Sequence, residues 1–207
     1  LIIAVNVVVF YYQLGLSERG LVGFFSEFGI VPARFARVFS GGQLAPLVDY
    51  RAFLASMFIH GGWIHLISNM WALWIFGDNV EDRLGHARYL SFYLLCGLMA
   101  GATHVYFNAV SELPVVGASG ALSGVLGAYI VMYPFARVLT VVPVFFLPLL
   151  VEVPAVVFIG LWSLAQYAGA SAQAQGAANG AGVAWWAHIG GFASGLVLIW
   201  HFRRRAR

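Results

Sequence analysis

Six apolar stretches, divided by polar, glycine-rich or proline-containing connectors, set the pattern of the chain. They cover residues 1–16, 52–76, 87–107, 117–133, 154–168 and 183–202. A membrane-spanning helix needs roughly 20 mainly apolar residues. The pattern therefore predicts an all-α polytopic membrane protein, a single domain over residues 1–207 with six spans. The first stretch is too short to span alone and starts in mid-run without Met, so it reads as a truncated first helix. The fourth is also short, which places its start below the membrane surface and inside the protein.

The connectors carry their own signals. Residues 17–50 mix Phe24, Phe25, Phe28, Phe35 and Phe39 with Arg19, Arg34 and Arg37. That amphipathic mixture predicts a segment lying in the interface, broken at Pro32 and at Gly41-Gly42. Residues 77–85 form a charged turn, and residues 108–116 a short link with Pro114. Residues 134–152 read as a connector punctuated by Pro134, Pro143 and Pro148, although residues 144–151 are apolar too. Residues 169–182 are rich in Ala, Gly and Gln and predict a mobile loop.

Composition agrees with the pattern. Hydrophobic residues make up 61% of the chain and charged residues 9%, against about 25% charged in soluble domains. The 24 Gly and 7 Trp suit helices in lipid and their interfacial belts. The single Cys96 excludes an intramolecular disulfide and reads as packing. The net charge of +3 comes from Arg alone. The tail Arg203-Arg204-Arg205-Ala206-Arg207 reads as a cytoplasmic anchor after the last span, not as a nucleic-acid arm. With that end cytoplasmic, Arg83, Arg88 and Arg137 fall on the same side. Six spans then put the N-terminus there as well.

This topology aligns a set of polar residues. Ser119, His188, His65 and Asn69 all fall at one depth in the outer half of the bilayer, although depth played no part in assigning the spans. A polar side chain inside a span can serve as an interhelical hydrogen bond or as chemistry. Ala187, Gly191 and Gly195 form a small-residue ridge that lets the His188 helix approach a neighbour at backbone distance. Gly120 and Gly124 offer a matching face beside Ser119. Such packing would let His188 take the Ser119 proton, which a serine nucleophile requires. Ser119 opens its helix, where unpaired N–H groups and the helix dipole favour an oxyanion. His65 and Asn69, four apart, share one helix face and could donate to that oxyanion.

Other chemistry lacks its parts. His60 and His65 lie about 140° apart around a helix, no Asp falls in a span, and no His-Glu-x-x-His occurs. No metal or other cofactor is expected. The one carboxylate near a late span, Glu152, is cytoplasmic, which leaves a Ser–His dyad and no triad. Glu81 and Arg83 read as structural ties of the charged turn, and Arg51 beside Tyr50 as an interfacial anchor. His86, His104 and His201 show no partner in the sequence.

Together these motifs resemble the rhomboid intramembrane serine proteases, of the bacterial six-transmembrane type. Gly117-Ala118-Ser119-Gly120 is similar to the family's G-x-S-G motif. Ala187-His188-Ile189-Gly190-Gly191 is similar to its A-H-x-x-G motif. His60-Gly61-Gly62-Trp63-Ile64-His65 with Asn69 resembles its second helix, and residues 77–85 its turn with a structural Glu. Tyr50-Arg51 stands where Trp-Arg is common. The resemblance implies a six-helix rhomboid-like bundle with Ser119 as nucleophile and His188 as base. It implies an oxyanion hole of His65, Asn69 and the Ser119 N–H, with His60, Gly117 and Gly120 supporting and Gly191 structural. It further implies a water-filled cavity open to the outer side of a bacterial plasma membrane. Its substrates would be other membrane proteins, entering sideways past the second and fifth spans.

Two other readings differ in their tests. A non-catalytic binding or chaperone protein of the same fold would keep its cellular role without Ser119 and His188. A transporter using His residues as a proton relay needs access from both sides, whereas the polar residues cluster on one.

Overall fold

The computed structural model of the chain describes residues 1–39, 47–144, 147–175 and 182–203. In chain order the helices are α1 (Ile2–Leu14), α2 (Glu18–Phe28), α3 (Pro32–Phe39), α4 (Leu47–Ala55), α5 (Trp63–Ala72), α6 (Asp78–Leu84), α7 (His86–Phe107), α8 (Ser119–Met132), α9 (Ala155–Ala174) and α10 (Trp185–Phe202). A 3-10 turn, Ser56–Phe58, follows α4, and a π turn, Leu73–Gly77, joins α5 to α6. Two strands, β1 (Arg137–Val144) and β2 (Leu147–Pro154), lie between α8 and α9.

The core is built on α8. Every residue from Gly120 to Tyr129 is buried, as expected of a helix that is apolar on all faces. Its small residues make this burial geometrically feasible. A Cβ on Gly191 or Gly195 of α10 would collide with the Gly120 or Gly124 carbonyl, and one on Gly124 would strike Cys96 of α7. The expected α8–α10 approach is therefore present at backbone distance, with α7 closing the third side. In contrast, α9 buries only Ala155, Ile159, Gln166 and Ala170, and leaves Val156, Val157, Leu161, Leu164 and Tyr167 exposed. A face this apolar suits contact with lipid.

Among the described residues, α7 and α9 are long and apolar enough to cross a membrane, while α1 and α8 are apolar but shorter. The 14 residues of α8 span about 21 Å, less than a hydrocarbon core of roughly 30 Å.

The structure corrects the sequence reading at three places. The apolar run 52–76 is not one helix: α4 and the 3-10 turn end before Gly61-Gly62, and helix resumes at Trp63. The glycine pair, weak in helix interiors, is where the run divides. The fifth helix outlasts residue 168 and continues to Ala174, because Ala, Ser and Gln at its end tolerate helix.

The third correction concerns the all-α expectation, because the 134–152 connector contains an antiparallel hairpin. Its register runs from Arg137 opposite Pro154 to Val144 opposite Leu147. The β-branched residues Val138, Thr140, Val141, Val142, Val151 and Val153 favour strand. The prolines that read as breakers sit opposite each other, Pro143 against Pro148. A two-stranded sheet has only edge strands, where proline is tolerated. Of the remaining expectations, the break at Gly41-Gly42, residues 176–181 of the 169–182 loop and the tail residues Arg204, Arg205 and Arg207 fall outside the described residues.

The first connector folds into α2, α3 and α4. Ser17 caps α2 by accepting from the Gly20 N–H at 3.2 Å, and Pro32 opens α3, where its missing N–H costs nothing. This region anchors the segment before α8. The Ile30 and Val115 backbones exchange hydrogen bonds of 3.0 and 2.8 Å, and the Gly117 N–H donates to the Ser56 carbonyl at 2.8 Å. These bonds fix the chain one and three residues ahead of Ala118, and so set where α8 begins.

Candidate functional site

Ser119 is the first residue of α8, with Ala118 as its cap. First-turn N–H groups have no intrahelical partner, so the serine sits beside free donors at the positive helix end. Its hydroxyl lies 2.8 Å from His188 Nε2. His188 is in the first turn of α10, one turn before Gly191, so the glycine contact of the two helices places the imidazole against the start of α8. Ser119 donating to Nε2 is the bond that general-base activation needs.

His65 and Asn69 of α5 come to the same place. The Gly61 N–H donates to His65 Nδ1 at 3.3 Å, leaving Nε2 as the donor nitrogen of the neutral ring. That nitrogen faces Gly117: a Cβ built there would lie 2.7 Å from His65 Nε2 and 3.6 Å from Ser119 Oγ. Gly117 also has φ +133°, so glycine is needed here for backbone and for space. Asn69 is buried, and its Nδ2 has no hydrogen-bond partner among the described residues. A buried donor left unpaired is costly, and this one lines the groove that holds Ser119 and His188. The groove that holds Ser119 thus offers three donor types: a side-chain amide, an imidazole N–H and helix-start backbone groups.

The groove has a volume of about 2180 Å³, beyond the roughly 300–1,000 Å³ of small-molecule pockets. Along its floor Ser119, Leu122, Leu126 and Tyr129 form one stripe of α8. Its walls come from α5 on one side and from Phe158 and Trp162 of α9 on the other, with β1 at the far end. It is shaped for an elongated apolar occupant.

Two buried residues near the site escaped the sequence reading. Gln166 of α9, buried, has Oε1 2.7 Å from His188 Nδ1. The available signal was a lone amide in an apolar span, without the four-residue pairing that marks Asn69 with His65. His104, which showed no partner in the sequence, is buried in the last turn of α7 and lines the groove.

The remaining candidates lie apart from this centre or beneath it. His60 is fully buried with its ring 5.0 Å from that of His65. Its backbone is gripped by Gln13 of α1, which donates to the His60 carbonyl at 2.7 Å and accepts from its N–H at 3.1 Å. Gly120 packs against Ala100 and Ala187. Glu81 pairs with His86 at 2.7 Å and not with Arg83. Arg83 instead donates to the Tyr133 hydroxyl at 3.1 Å, which donates to the Asn79 carbonyl. The charged turn is thus tied to the end of α8. Arg137 and Glu152 pair at 3.0 Å near the base of the hairpin, and Arg51 is exposed on α4. Among the described residues no three His, Cys, Asp or Glu side chains converge on a metal position.

Comparison with known proteins places this geometry in a lineage. The rhomboid domain family model matches residues 49–205. The chain is 34% identical over 90 residues to yeast (Saccharomyces cerevisiae) "Rhomboid protein 1, mitochondrial", covering 42% of this chain and 26% of that protein. It is 32% identical over 139 residues to zebrafish (Danio rerio) "Presenilin-associated rhomboid-like protein A, mitochondrial", covering 66% and 32%. It is 40% identical over 75 residues to "Rhomboid protease GluP" of Bacillus subtilis, covering 36% and 14%. The chain thus spans about a third or less of the length of these relatives. The match extends from α4 to the end of α10 and includes every groove-lining residue named above, and on that ground the chain belongs to the rhomboid family of integral membrane proteins.

Proposed function

We propose that the chain is an intramembrane serine endopeptidase with Ser119 as nucleophile and His188 as base. The 2.8 Å bond between Ser119 Oγ and His188 Nε2 carries the reading. Ser119 Oγ attacks the scissile carbonyl carbon while its proton passes to His188 Nε2. The carbonyl oxygen becomes an oxyanion that accepts from Asn69 Nδ2, His65 Nε2 and the Ser119 N–H. His188 then returns the proton to the departing amine. Water, activated by the same imidazole, hydrolyses the acyl-enzyme.

The substrate is a transmembrane or juxtamembrane segment of another membrane protein. The groove between α5 and α9 admits it from the bilayer, and the short α8 puts Ser119 below the surface, where a bond in a weak helix meets water. Six spans are assigned, with α5 and α6 counted as one beside α1, α7, α8, α9 and α10. Both termini are cytoplasmic, the groove opens outward, and the membrane is the bacterial plasma membrane.

The test is reconstitution into lipid vesicles with a membrane-spanning reporter. Wild type yields one discrete cut, and Ser119→Ala and His188→Ala each yield none. Equal cleavage by the Ser119→Ala protein overturns the reading.

A further inference from the structure

We infer that Gln166 is a positioning residue that holds His188 in the one tautomer able to activate Ser119. The inference rests on the proposed roles of Ser119 and His188. Among the described residues no carboxylate is bonded to the base, and His188 Nδ1 is met by the Gln166 amide oxygen at 2.7 Å. The amide orientation is itself fixed. Gln166 Nε2 donates to the Trp162 carbonyl at 3.2 Å, one turn earlier in α9. Reversing the amide would set its oxygen against that carbonyl, leaving two acceptors facing each other. The oxygen therefore points at Nδ1, and Nδ1 must carry the proton to donate to it.

A neutral imidazole has a single N–H. With that proton on Nδ1, Nε2 is bare and accepts from Ser119 Oγ at 2.8 Å. When Nε2 takes the serine proton, both ring nitrogens donate, and Gln166 Oε1 faces the imidazolium with the negative end of a dipole. A carboxylate does this work in serine triads, where replacing it to give the wrong tautomer costs about 10⁴-fold. An uncharged amide keeps the orientation without placing an ion in an apolar helix.

The position has no evident packing purpose. Along α9 the other buried residues are Ala155, Ile159 and Ala170, and an apolar side chain at 166 would fill the same space. What distinguishes Gln166 is that both ends of its amide are bonded, one to its own helix and one to the proposed base. The tautomer is thus set from α9, the helix whose Trp162 and Phe158 also wall the groove.

The test uses the full chain in detergent and in vesicles. Gln166→Met and Gln166→Leu remove the acceptor, and Gln166→Glu restores one. Nitrogen NMR of histidine-labelled protein reads which His188 nitrogen is protonated, and reporter cleavage gives kcat and KM. Wild type is expected to show the proton on Nδ1. The Met and Leu variants lose that preference and drop about 10- to 100-fold in kcat with KM unchanged, a fraction of what a general base supplies. Gln166→Glu recovers both the tautomer and the rate. An unaltered His188 spectrum and kcat in a folded Met or Leu variant overturns the inference. So does a folded Glu variant as slow as the Met one. If neither apolar variant folds, the wild-type and Glu spectra decide, since a proton on Nε2 in either is incompatible with the assignment. The spectrum is independent of catalysis. Cleavage surviving Ser119→Ala would remove the proposed function while leaving the Gln166 contact measurable.

Discussion

At the residue scale, the centre depends on a few polar atoms for which the helices provide no alternative partner. Asn69 Nδ2 is buried and unpartnered among the described residues, a cost the fold carries at the groove wall. If it serves the oxyanion, Asn69→Ala should lower kcat about 100- to 1000-fold while leaving thermal stability equal or higher. A variant that loses stability but cleaves normally assigns Asn69 to packing. Gly117 illustrates how a residue without a functional group enters the chemistry, since its φ of +133° and its contact with the His65 ring bring ring and serine together. These residues were legible in the sequence because each is polar, or glycine, at a place where the pattern is otherwise apolar. Gln166 and His104 gave the same signal and were passed over. A lone amide acquires meaning only from its partner, and that of Gln166 lies on another helix, at His188.

At the element scale, the α8–α10 contact sets the distance from Ser119 to His188. The contact is made by glycine against carbonyl, so it has no flexible side chain that could yield. Gly195→Ala should lower stability by about 1–3 kcal/mol through overpacking against Gly124 and reduce cleavage by displacing α10. Gly160→Ala on α9, with no atom within 4 Å of the added Cβ, should be neutral or stabilise by a few tenths to about 1 kcal/mol. Thermal unfolding in detergent compares the two, and equal midpoints contradict the account. The small-residue ridges predicted this contact directly, since their spacing of four matches a helix face. The hairpin was not legible as structure. Its prolines break helix, and only the pairing of Pro143 with Pro148 across a two-stranded sheet makes them compatible with strand. The 52–76 run was misread for a related reason. Hydropathy does not distinguish a span from a short helix, a turn and a second helix, and the Gly61-Gly62 break was the only mark.

At the scale of the whole molecule, the fold leaves one side of the α7–α8–α10 core open. Helices α7, α8 and α10 pack tightly, whereas α5 and α9 stand on either side of a groove that reaches from Ser119 to the hairpin. In the proposed topology, drawn from the arginine distribution and the short α8, the Ser119 end faces the outer side. Introduced as Ser119→Cys, a thiol at this position should react with a membrane-impermeant maleimide added outside intact cells and not with the same reagent added outside sealed inverted vesicles, which present the cytoplasmic face. The native Cys96 is buried against α8 and gives no competing signal. Labelling from the cytoplasmic face alone contradicts the topology.

The central claim is that Ser119 is a nucleophile activated by His188. Its most direct test is modification of the purified protein by a fluorophosphonate, followed by mass-spectrometric mapping of the labelled peptide. The account predicts a single adduct on Ser119, absent in Ser119→Ala and strongly slowed in His188→Ala. An adduct on another serine, or labelling as fast without His188 as with it, contradicts it.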